Sequence, residues 1–375
     1  MDLKIPGLYI HIPFCLTKCG YCNFYSITSL SSLPDFLEAL GREMEMAQGE
    51  FGPFDSVYIG GGTPSILSLN KMENLLAGVR RNFVLLSDVE ITVEANPANL
   101  NLSLLQSLFG LGINRLNLGI QSFDQRILDF LGRRHTSTEA VSAIETARKG
   151  GFENIGLDLI YGVPGQEIEA WLNTLSQALT FDPEHLSCYQ LTLEAETPLG
   201  KRHEQKEFSL PGEELEYGFF IKTAELLEEA GYIHYEVSNF AREITFISRH
   251  NQKYWNHTPY LGLGPAAHSF SGLRRWWNHR SVERYIADVN AGKRPIQGAE
   301  ILTMEQLQLE ALFLGLRTKR GVCLREFVEQ YGCDLAVEKR DVLDRLQEEG
   351  LAAINEGYLV PTRAGLAVAD SLALI

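Results

Sequence analysis

The chain has 375 residues, of which 45% are hydrophobic and 22% charged, a balance typical of a globular protein with one large domain and a smaller one, or two to three ordinary domains. Its net charge of −15 opposes bulk attraction to nucleic acid or anionic membranes. No long apolar run predicts a membrane span, and Met1-Asp2-Leu3-Lys4-Ile5-Pro6 lacks the features of a signal peptide, so we predict a cytoplasmic protein with reduced thiols.

Three cysteines near the start, Cys15, Cys19 and Cys22, have the spacing C-x3-C-x2-C. This spacing fits neither the paired C-x2-C ligands of zinc sites nor a secreted disulfide framework. An iron–sulfur cube normally takes four thiolates, so three in one loop would leave one iron open to an exchangeable ligand. Phe24, two residues beyond Cys22, cannot ligate metal. The alternatives are a zinc loop or three unrelated thiols.

The first half of the chain alternates apolar strands with helical stretches, the pattern of parallel βα units. The predicted strands span residues 8–14, 55–59, 89–94, 115–120, 154–161 and 185–193. The predicted helices span residues 34–48, 69–81, 103–109, 138–149 and 167–179, and Ser103 and the stretch Ser137-Thr138-Glu139 are plausible caps. Six repeats predict an incomplete (β/α)6 barrel of the α/β class, although periodicity alone also fits an open doubly wound sheet.

Polar and glycine motifs fall where the predicted strands end, the edge at which parallel α/β folds bind ligands. Gly60-Gly61-Gly62-Thr63-Pro64 follows the second strand, and glycine there permits close backbone approach to a ligand. Glu94 ends the third strand, Gln121 ends the fourth, and Asp158 lies inside the fifth, where a buried acid needs a partner. Each motif alone also fits an ordinary turn or a structural ion pair; their order along successive strands favours one site.

A second group of polar and aromatic residues has the spacing H-N-x2-Y-W and consists of His250, Asn251, Tyr254 and Trp255. A histidine beside tyrosine and tryptophan offers an axial nitrogen and a flat aromatic surface, both of which haem requires. The alternative is a core histidine with two packed aromatic residues. The competing ligands are His257, His268 and His279.

From about residue 300 the predicted helices 305–317, 324–331 and 337–350 lead into a hairpin over residues 351–362, turning at Asn355-Glu356-Gly357. Three helices and a hairpin predict a winged-helix-like domain, a type that often binds DNA. Residues 301–375 contain 8 Lys and Arg and 12 Asp and Glu, a net charge of −4. A negative net charge opposes binding to the phosphates of DNA. We therefore predict a structural or substrate-covering cap and no nucleic-acid partner.

The cysteine motif after a first strand resembles the signature of radical S-adenosylmethionine (SAM) enzymes, and Tyr9-Ile10-His11-Ile12-Pro13-Phe14-Cys15 resembles their oxygen-independent coproporphyrinogen III oxidase branch. The resemblance implies a [4Fe–4S] cluster on the three cysteines, with SAM chelated by the fourth iron and cleaved to a 5′-deoxyadenosyl radical. It also implies SAM contacts by Tyr9, Tyr21, Gly61, Gly62, Thr63, Glu94, Gln121, Arg133 and Asp158. Whether one SAM or two bind is open.

The H-N-x2-Y-W motif resembles that of the haem-chaperone subfamily called HemW, which implies haem contacts by His250, Tyr254 and Trp255. Two departures also separate the chain from the oxidases: Phe24 replaces their additional cysteine, and the sequence starts almost at the first strand. We therefore predict a haem chaperone that binds a [4Fe–4S] cluster, SAM and haem. The alternative is an oxidase that makes protoporphyrinogen IX. A third class, a DNA regulator with a redox cluster, conflicts with the acidic tail.

The predicted organisation has three parts. Residues 1–200 form the partial barrel with the cluster loop, residues 201–299 form a barrel extension that carries the H-N-x2-Y-W motif, and residues 300–375 form the winged-helix-like cap. The predicted partners are haem and a haem-accepting protein, either cytoplasmic or at the membrane periphery. A homodimer is open, as are the identity of the acceptor and whether haem is bound covalently.

Overall fold

The computed structural model describes residues 4–372, and within this range the main sheet has twelve strands. Residues 1–3 and 373–375, at the ends of the first and last predicted domains, lie outside the described residues. Six parallel strands are adjacent in chain order, and they confirm the six predicted strands: β1 (Gly7–Ile12), β2 (Phe54–Gly61), β3 (Leu85–Ala95), β4 (Arg115–Gln121), β5 (Ile155–Tyr161) and β6 (His185–Gln190). The sheet curves into an incomplete barrel, as predicted.

Helices connect these strands and cover the outer face of the sheet. Five of them confirm the predicted helices, and the caps lie one or two residues earlier than expected: Asn101 accepts from the Leu104 amide, and Thr136 forms a capping box with Glu139. The short helix α4 was not predicted. The helices are α1 (Leu33–Met46), α2 (Leu69–Asn82), α3 (Leu102–Gly110), α4 (Gln125–Leu131), α5 (Ser137–Lys149) and α6 (Ile168–Leu179).

Alternation along the strands separates the core from the barrel interior. Leu8, Ile10 and Ile12 of β1 are fully buried among the residues that pack against the helices. Tyr9 and His11 point the other way, because successive strand side chains face opposite sides of a sheet. The same period places polar side chains of β2 to β6 in the barrel interior.

Residues between the barrel and the last domain extend the sheet at both edges. At one edge, β7 and β8 add antiparallel strands next to β6; at the other, β9 pairs in parallel with β1 and is followed by three antiparallel strands. The strands are β7 (Ile233–His234), β8 (Asn239–Ala241), β9 (Tyr260–Leu263), β10 (His268–Ser271), β11 (Arg274–Asn278) and β12 (Ile296–Ile301). The helices are α7 (Pro198–Glu204), α8 (Glu213–Glu229), α9 (Arg249–Trp255) and α10 (Val282–Asn290).

A buried carboxyl group joins this extension to the barrel. Glu43 of α1 is 1% exposed and accepts hydrogen bonds from the Gly264 amide (2.8 Å), Asn278 Nδ2 (2.6 Å) and the Tyr285 hydroxyl (2.6 Å). Burial raises the pKa of Glu43, and the three donors partly oppose that rise. One side chain thus ties α1 to the β9–β10 loop, β11 and α10.

The C-terminal residues form a separate hydrophobic cluster around a three-stranded antiparallel sheet. The turn at Glu356-Gly357 has positive φ at both residues, as predicted for the hairpin. The single predicted helix 337–350 is wrong, because Lys339 leaves the helical conformation (φ −118°) and separates two helices. The elements are α11 (Met304–Gly315), β13 (Val322–Cys323), α12 (Leu324–Tyr331), α13 (Leu335–Glu338), α14 (Arg340–Glu348), β14 (Ala352–Asn355), β15 (Tyr358–Pro361), α15 (Arg363–Ala367) and α16 (Ala369–Leu372). Within residues 4–372 no helix combines the length and apolar character needed to span a bilayer.

Candidate cofactor site

The cysteine loop leaves the carboxyl end of β1 and is fixed by backbone hydrogen bonds. The Cys15 amide donates to the Ile27 carbonyl at 3.0 Å, which closes the loop on itself. Gly20, between the second and third cysteines, donates to the Leu131 carbonyl of α4 and accepts from the Leu199 amide of α7. Elements distant in sequence therefore hold the loop over the open end of the barrel.

Two of the three thiols have a hydrogen-bond donor within reach. The Thr63 hydroxyl lies 3.4 Å from Cys15 Sγ, and Arg133 Nη1 lies 3.4 Å from Cys19 Sγ. Such donors stabilise a thiolate, the form that binds metal. Burial raises the pKa of the Cys22 thiol. Phe24 is 69% exposed and contributes no ligand.

In residues 4–372 no three His, Cys, Asp or Glu side chains are close enough to hold one metal ion. That geometry is a requirement of a mononuclear site. The thiolates of an iron–sulfur cube bind separate irons, so they surround the cluster and do not converge on one point. The spacing and the donors at Cys15 and Cys19 fit a cluster of this kind.

The glycines at the end of β2 and directly after it, Gly61 and Gly62, lie too close to β1 and the cysteine loop for any other residue. A Cβ on Gly62 would lie 2.5 Å from the Phe14 carbonyl oxygen, and one on Gly61 (φ +109°) would lie 2.5 Å from the His11 ring. The Gly62 amide donates to the Ile12 carbonyl, and the Thr63 amide donates to that of Phe14. Glycine thus lets the end of β2 pair with the strand end that carries the cysteines.

Glu94 and Asp158 give the barrel wall two carboxyl groups that titrate near neutrality. Glu94 accepts from the Tyr58 hydroxyl (2.7 Å) and the Gly61 amide (3.1 Å). Burial, reinforced by Asp158, raises the pKa of Glu94 to about 7 against these two donors. Burial likewise raises the pKa of Asp158 to about 6, and Asn117 Nδ2 lies 3.5 Å from its Oδ1. These carboxyl groups can accept from an ammonium group or from ribose hydroxyls.

The end of β4 combines an unusual backbone with a buried cation. Gln121 has φ +66°, a left-handed conformation that is uncommon outside glycine and often marks functional sites. Arg133 donates to the Gly119 carbonyl through Nη2 at 2.6 Å, while its buried Nε has no hydrogen-bond partner in the described part of the chain. Burial raises the pKa of the neighbouring Tyr21, and the positive charge of Arg133 partly opposes that rise. Arg133 thus faces the cluster loop, with one donor left for a ligand.

Direct contacts join six of the predicted SAM and cluster residues in three pairs, which are Thr63 with Cys15, Arg133 with Cys19, and Gly61 with Glu94. Sequence reasoning missed three side chains in contact with the predicted residues, namely Tyr58, which donates to Glu94, His11, whose ring lies against Gly61, and Asn117, which approaches Asp158. Period-two alternation from Tyr9 marks His11 on the same strand, whereas Tyr58 and Asn117 lie on other strands and are located only by the register of β2 with β1 and of β4 with β5.

The predicted haem residues do not share one surface. His250 is 1% exposed at the floor of the barrel, with its ring stacked on Tyr9 at 6.0 Å. Its Nε2 lies 2.9 Å from the Tyr254 hydroxyl and its Nδ1 lies 3.5 Å from Ser56 Oγ. Burial lowers the pKa of His250 to about 3, so the imidazole is neutral. His250 and Tyr254 thus occupy the interior, a placement that fits a packed core histidine.

Trp255, the last residue of the motif, lines a cavity of about 810 Å³ between α9 and the C-terminal domain. The competing histidines lie in three different places. His257 lines the same cavity, His268 is exposed and stacked on Trp277, and His279 Nε2 lies 2.9 Å from Asp288 Oδ2. Of the motif, Trp255 therefore lines this cavity, together with His257.

Comparison with known proteins identifies the family to which this chain is similar. Residues 9–178 match the model of the radical SAM superfamily, and residues 302–368 match that of the HemN C-terminal domain. The chain is 36% identical to haem chaperone HemW of Bacillus subtilis over 95% of both chains. It is 34% identical to haem chaperone HemW of Mycobacterium tuberculosis H37Rv, over 98% of this chain and 93% of that protein.

Among solved structures, coproporphyrinogen III oxidase HemN of Escherichia coli, described as a radical SAM enzyme, superposes with a TM-score of 0.86. The match covers 99% of this chain and 90% of that one at 23% sequence identity. Such a likeness concerns the fold, and it supports the incomplete barrel followed by a C-terminal domain.

Proposed function

We propose, from the premise that the chain belongs to the radical SAM superfamily and within it to the HemW haem-chaperone family, that it binds a [4Fe–4S] cluster, SAM and haem and passes haem to an acceptor protein. The observation that carries this proposal is identity above one third with haem chaperones over nearly the whole chain. The acceptor would be a cytoplasmic protein or one at the membrane periphery. A homodimer is compatible with the proposal but not required by it.

Cys15, Cys19 and Cys22 would hold the cluster, which when bound supplies an electron and an open iron for SAM. The chain's own contribution is to keep the sulfurs as thiolates and in place. The donors on Cys15 and Cys19 serve the first purpose, and the hydrogen bonds of Gly20 serve the second. Arg133 adds positive charge beside the cluster loop, which favours an anionic set of sulfurs.

SAM would lie between the cysteine loop and the barrel wall. Gly61, Gly62 and Thr63 would expose backbone groups to its methionine part, and ionised Glu94 would accept from an amino group. Asp158 would accept from ribose hydroxyls, and Tyr9, Tyr21 and Gln121 would complete the pocket. Burial disfavours the ionised form of Glu94 and so raises its pKa, and a cationic amino group beside the carboxylate would favour that ionised form again. Glu94 is therefore suited to bind a cation.

Haem ligation by His250 is a proposal with a structural condition. Its Nε2 can reach iron only after the Tyr254 hydroxyl moves away, and the ring must leave its stack with Tyr9. Loss of the Soret shift in folded His250→Ala would support this ligand, and an unchanged spectrum would remove it from the site. Tyr254→Phe should ease ligation by His250, because it removes the competing hydroxyl.

The test of the proposed function is anaerobic reconstitution with iron, sulfide, SAM and haem, with coproporphyrinogen III conversion followed in the same sample. Tight haem binding without a vinyl product supports the chaperone. Protoporphyrinogen IX formation without haem retention would make the protein an oxidase and overturn the proposal. Cys19→Ala should lose the iron of the [4Fe–4S] cluster. Cys333→Ala should keep this iron, because Cys333 is buried in the hydrophobic core of the C-terminal domain.

A further inference from the structure

Tyr58 of β2 lies in the barrel interior and contacts a residue from each of the two sites proposed above. Its side chain is 9% exposed, and its hydroxyl donates to Glu94 Oε1 at 2.7 Å. The centroid of its ring lies 5.3 Å from that of His250. Tyrosine suits such a place because it joins an apolar ring to a polar hydroxyl. One side chain therefore links the carboxylate proposed for SAM to the imidazole proposed for haem.

The strand register adds a second tyrosine to this contact. Pairing of β1 with β2 places Tyr9 beside Tyr58, and both rings face the barrel interior. The centroids of the Tyr9, Tyr58 and His250 rings form a triangle with separations of 5.3, 6.0 and 6.1 Å. Aromatic rings at such separations attract one another. Displacement of the His250 ring would therefore remove a packing partner from both tyrosines.

The space around these rings is limited by backbone. A Cβ on Gly60 would lie 2.8 Å from Tyr58 Cε1, and one on Gly7 would lie 2.8 Å from His250 Nδ1. Neither ring can move towards these strands. In an interior packed so closely, a shift of one ring is transmitted to its neighbours.

Tyr9 extends the same contacts to the cysteine loop. Its hydroxyl lies 2.9 Å from His11 Nδ1, and His11 Nε2 lies 2.8 Å from the Tyr25 carbonyl, three residues beyond Cys22. Because a carbonyl oxygen only accepts, His11 carries its proton on Nε2 and accepts from the Tyr9 hydroxyl through Nδ1. The ring triangle thus touches both the carboxylate and the loop between which SAM would bind.

The Tyr58 hydroxyl also influences the charge of Glu94. Its hydrogen bond lowers the pKa of this carboxyl, against the larger effect of burial. The ionised form that it favours is the form that would accept from the amino group of SAM. Loss of the hydrogen bond would therefore weaken SAM binding.

We propose that Tyr58 is a positioning residue shared by the two sites, through which haem and SAM weaken each other's binding, an inference that rests on the proposed function. In the SAM-bound state Tyr58 holds Glu94 and packs against His250 in the barrel floor. In the haem-bound state His250 has left the stack to reach iron, and Tyr58 follows it away from Glu94. Since linkage is reciprocal, SAM would favour release of haem towards the acceptor.

The first test is calorimetry of SAM binding to reconstituted protein, with and without saturating ferric haem, with the cluster kept oxidised so that SAM is not cleaved. We expect haem to weaken SAM binding by wild type at least about fivefold, and by Tyr58→Phe less than about twofold. The matched control is Tyr232→Phe, which removes a buried hydroxyl that donates to the Pro183 carbonyl, and it should show the wild-type factor. An equal effect of haem in Tyr58→Phe and wild type would overturn the role of Tyr58, because direct overlap of the two ligands would then explain the effect.

The second test needs no variant and therefore survives misfolding of Tyr58→Phe. Wild type is titrated with ferric haem with and without SAM, followed by the Soret band, and SAM should weaken haem binding by the same factor that calorimetry gives for the reverse effect. Binding of haem and SAM with no influence on each other would overturn the coupling alone. Failure of reconstituted wild type to bind haem or SAM would overturn the proposed function with it.

Discussion

Replacing Glu94 by glutamine tests the electrostatics of the proposed SAM pocket. Burial, reinforced by Asp158, raises the pKa of Glu94 from its usual 4.5 to about 7. Because the folded-state pKa lies above the unfolded one, the folded protein favours the protonated carboxyl. That contribution to stability is fully present below pH 4.5 and is lost as the pH rises through about 7.

The size of the effect follows from the same values. A tenfold change in an ionisation constant corresponds to roughly 1.4 kcal/mol, so ionised Glu94 costs the folded protein about 3 kcal/mol. Glutamine carries no charge, and its carbonyl oxygen can still accept from the Tyr58 hydroxyl or the Gly61 amide. We therefore expect Glu94→Gln, without SAM, to be up to about 3 kcal/mol more stable than wild type at pH 8, with the difference shrinking towards pH 5.

The assay is urea unfolding of cluster-free wild type and Glu94→Gln between pH 5 and 8, with Glu145→Gln on the exposed face of α5 as the matched control. In the same pair of proteins, calorimetry should show weaker SAM binding by Glu94→Gln after reconstitution, because the variant cannot become an anion. Equal stability of the two proteins at pH 8, or an unchanged pH dependence in Glu94→Gln, would refute this reasoning.

Three further substitutions test the framework of the site. Gly62→Ala should lower cluster iron per chain after reconstitution, because its Cβ meets backbone at 2.5 Å, whereas Gly52→Ala, with open space around it, should not. Glu43→Ala should lower the free energy of unfolding by about 2–4 kcal/mol, since it leaves three buried donors unpaired. A much smaller decrease in that free energy, measured by urea denaturation, would contradict this prediction. Trp171→Phe should cost about 1–2 kcal/mol by removing the 2.7 Å hydrogen bond to Thr223 Oγ1, measured by thermal unfolding.

The sequence was sufficient for the parts of the site that are local in the chain. The six strands follow from periodicity, and the cysteine loop is one short motif at a strand end. A glycine run alone also fits an ordinary turn, so Gly61 and Gly62 could be placed only because they belong to a series of motifs at the ends of successive strands. Their roles follow from backbone approach, which depends little on the rest of the chain.

The parts that sequence could not predict depend on contacts between distant residues. Arg133 meets Cys19 across 114 positions, and no spacing rule indicates that pair. The burial of His250 follows from where α9 docks, which the Glu90 carboxylate helps to fix by accepting from the Arg249 amide at 3.0 Å. A motif gives the order of its residues but not which of them face a cavity, so His250 and Trp255 could not be assigned to different sides.

The placement of β9 beside β1 has a consequence for synthesis of the chain. The pairing brings Leu8 next to Leu261, so one edge of the first strand has no partner until about 260 residues have been made. At roughly 5–20 residues per second, that interval is on the order of tens of seconds. During it, β1 presents unpaired backbone groups at an apolar edge, a hazard for aggregation. We therefore expect the nascent barrel to need protection by folding factors until β9 emerges from the ribosome.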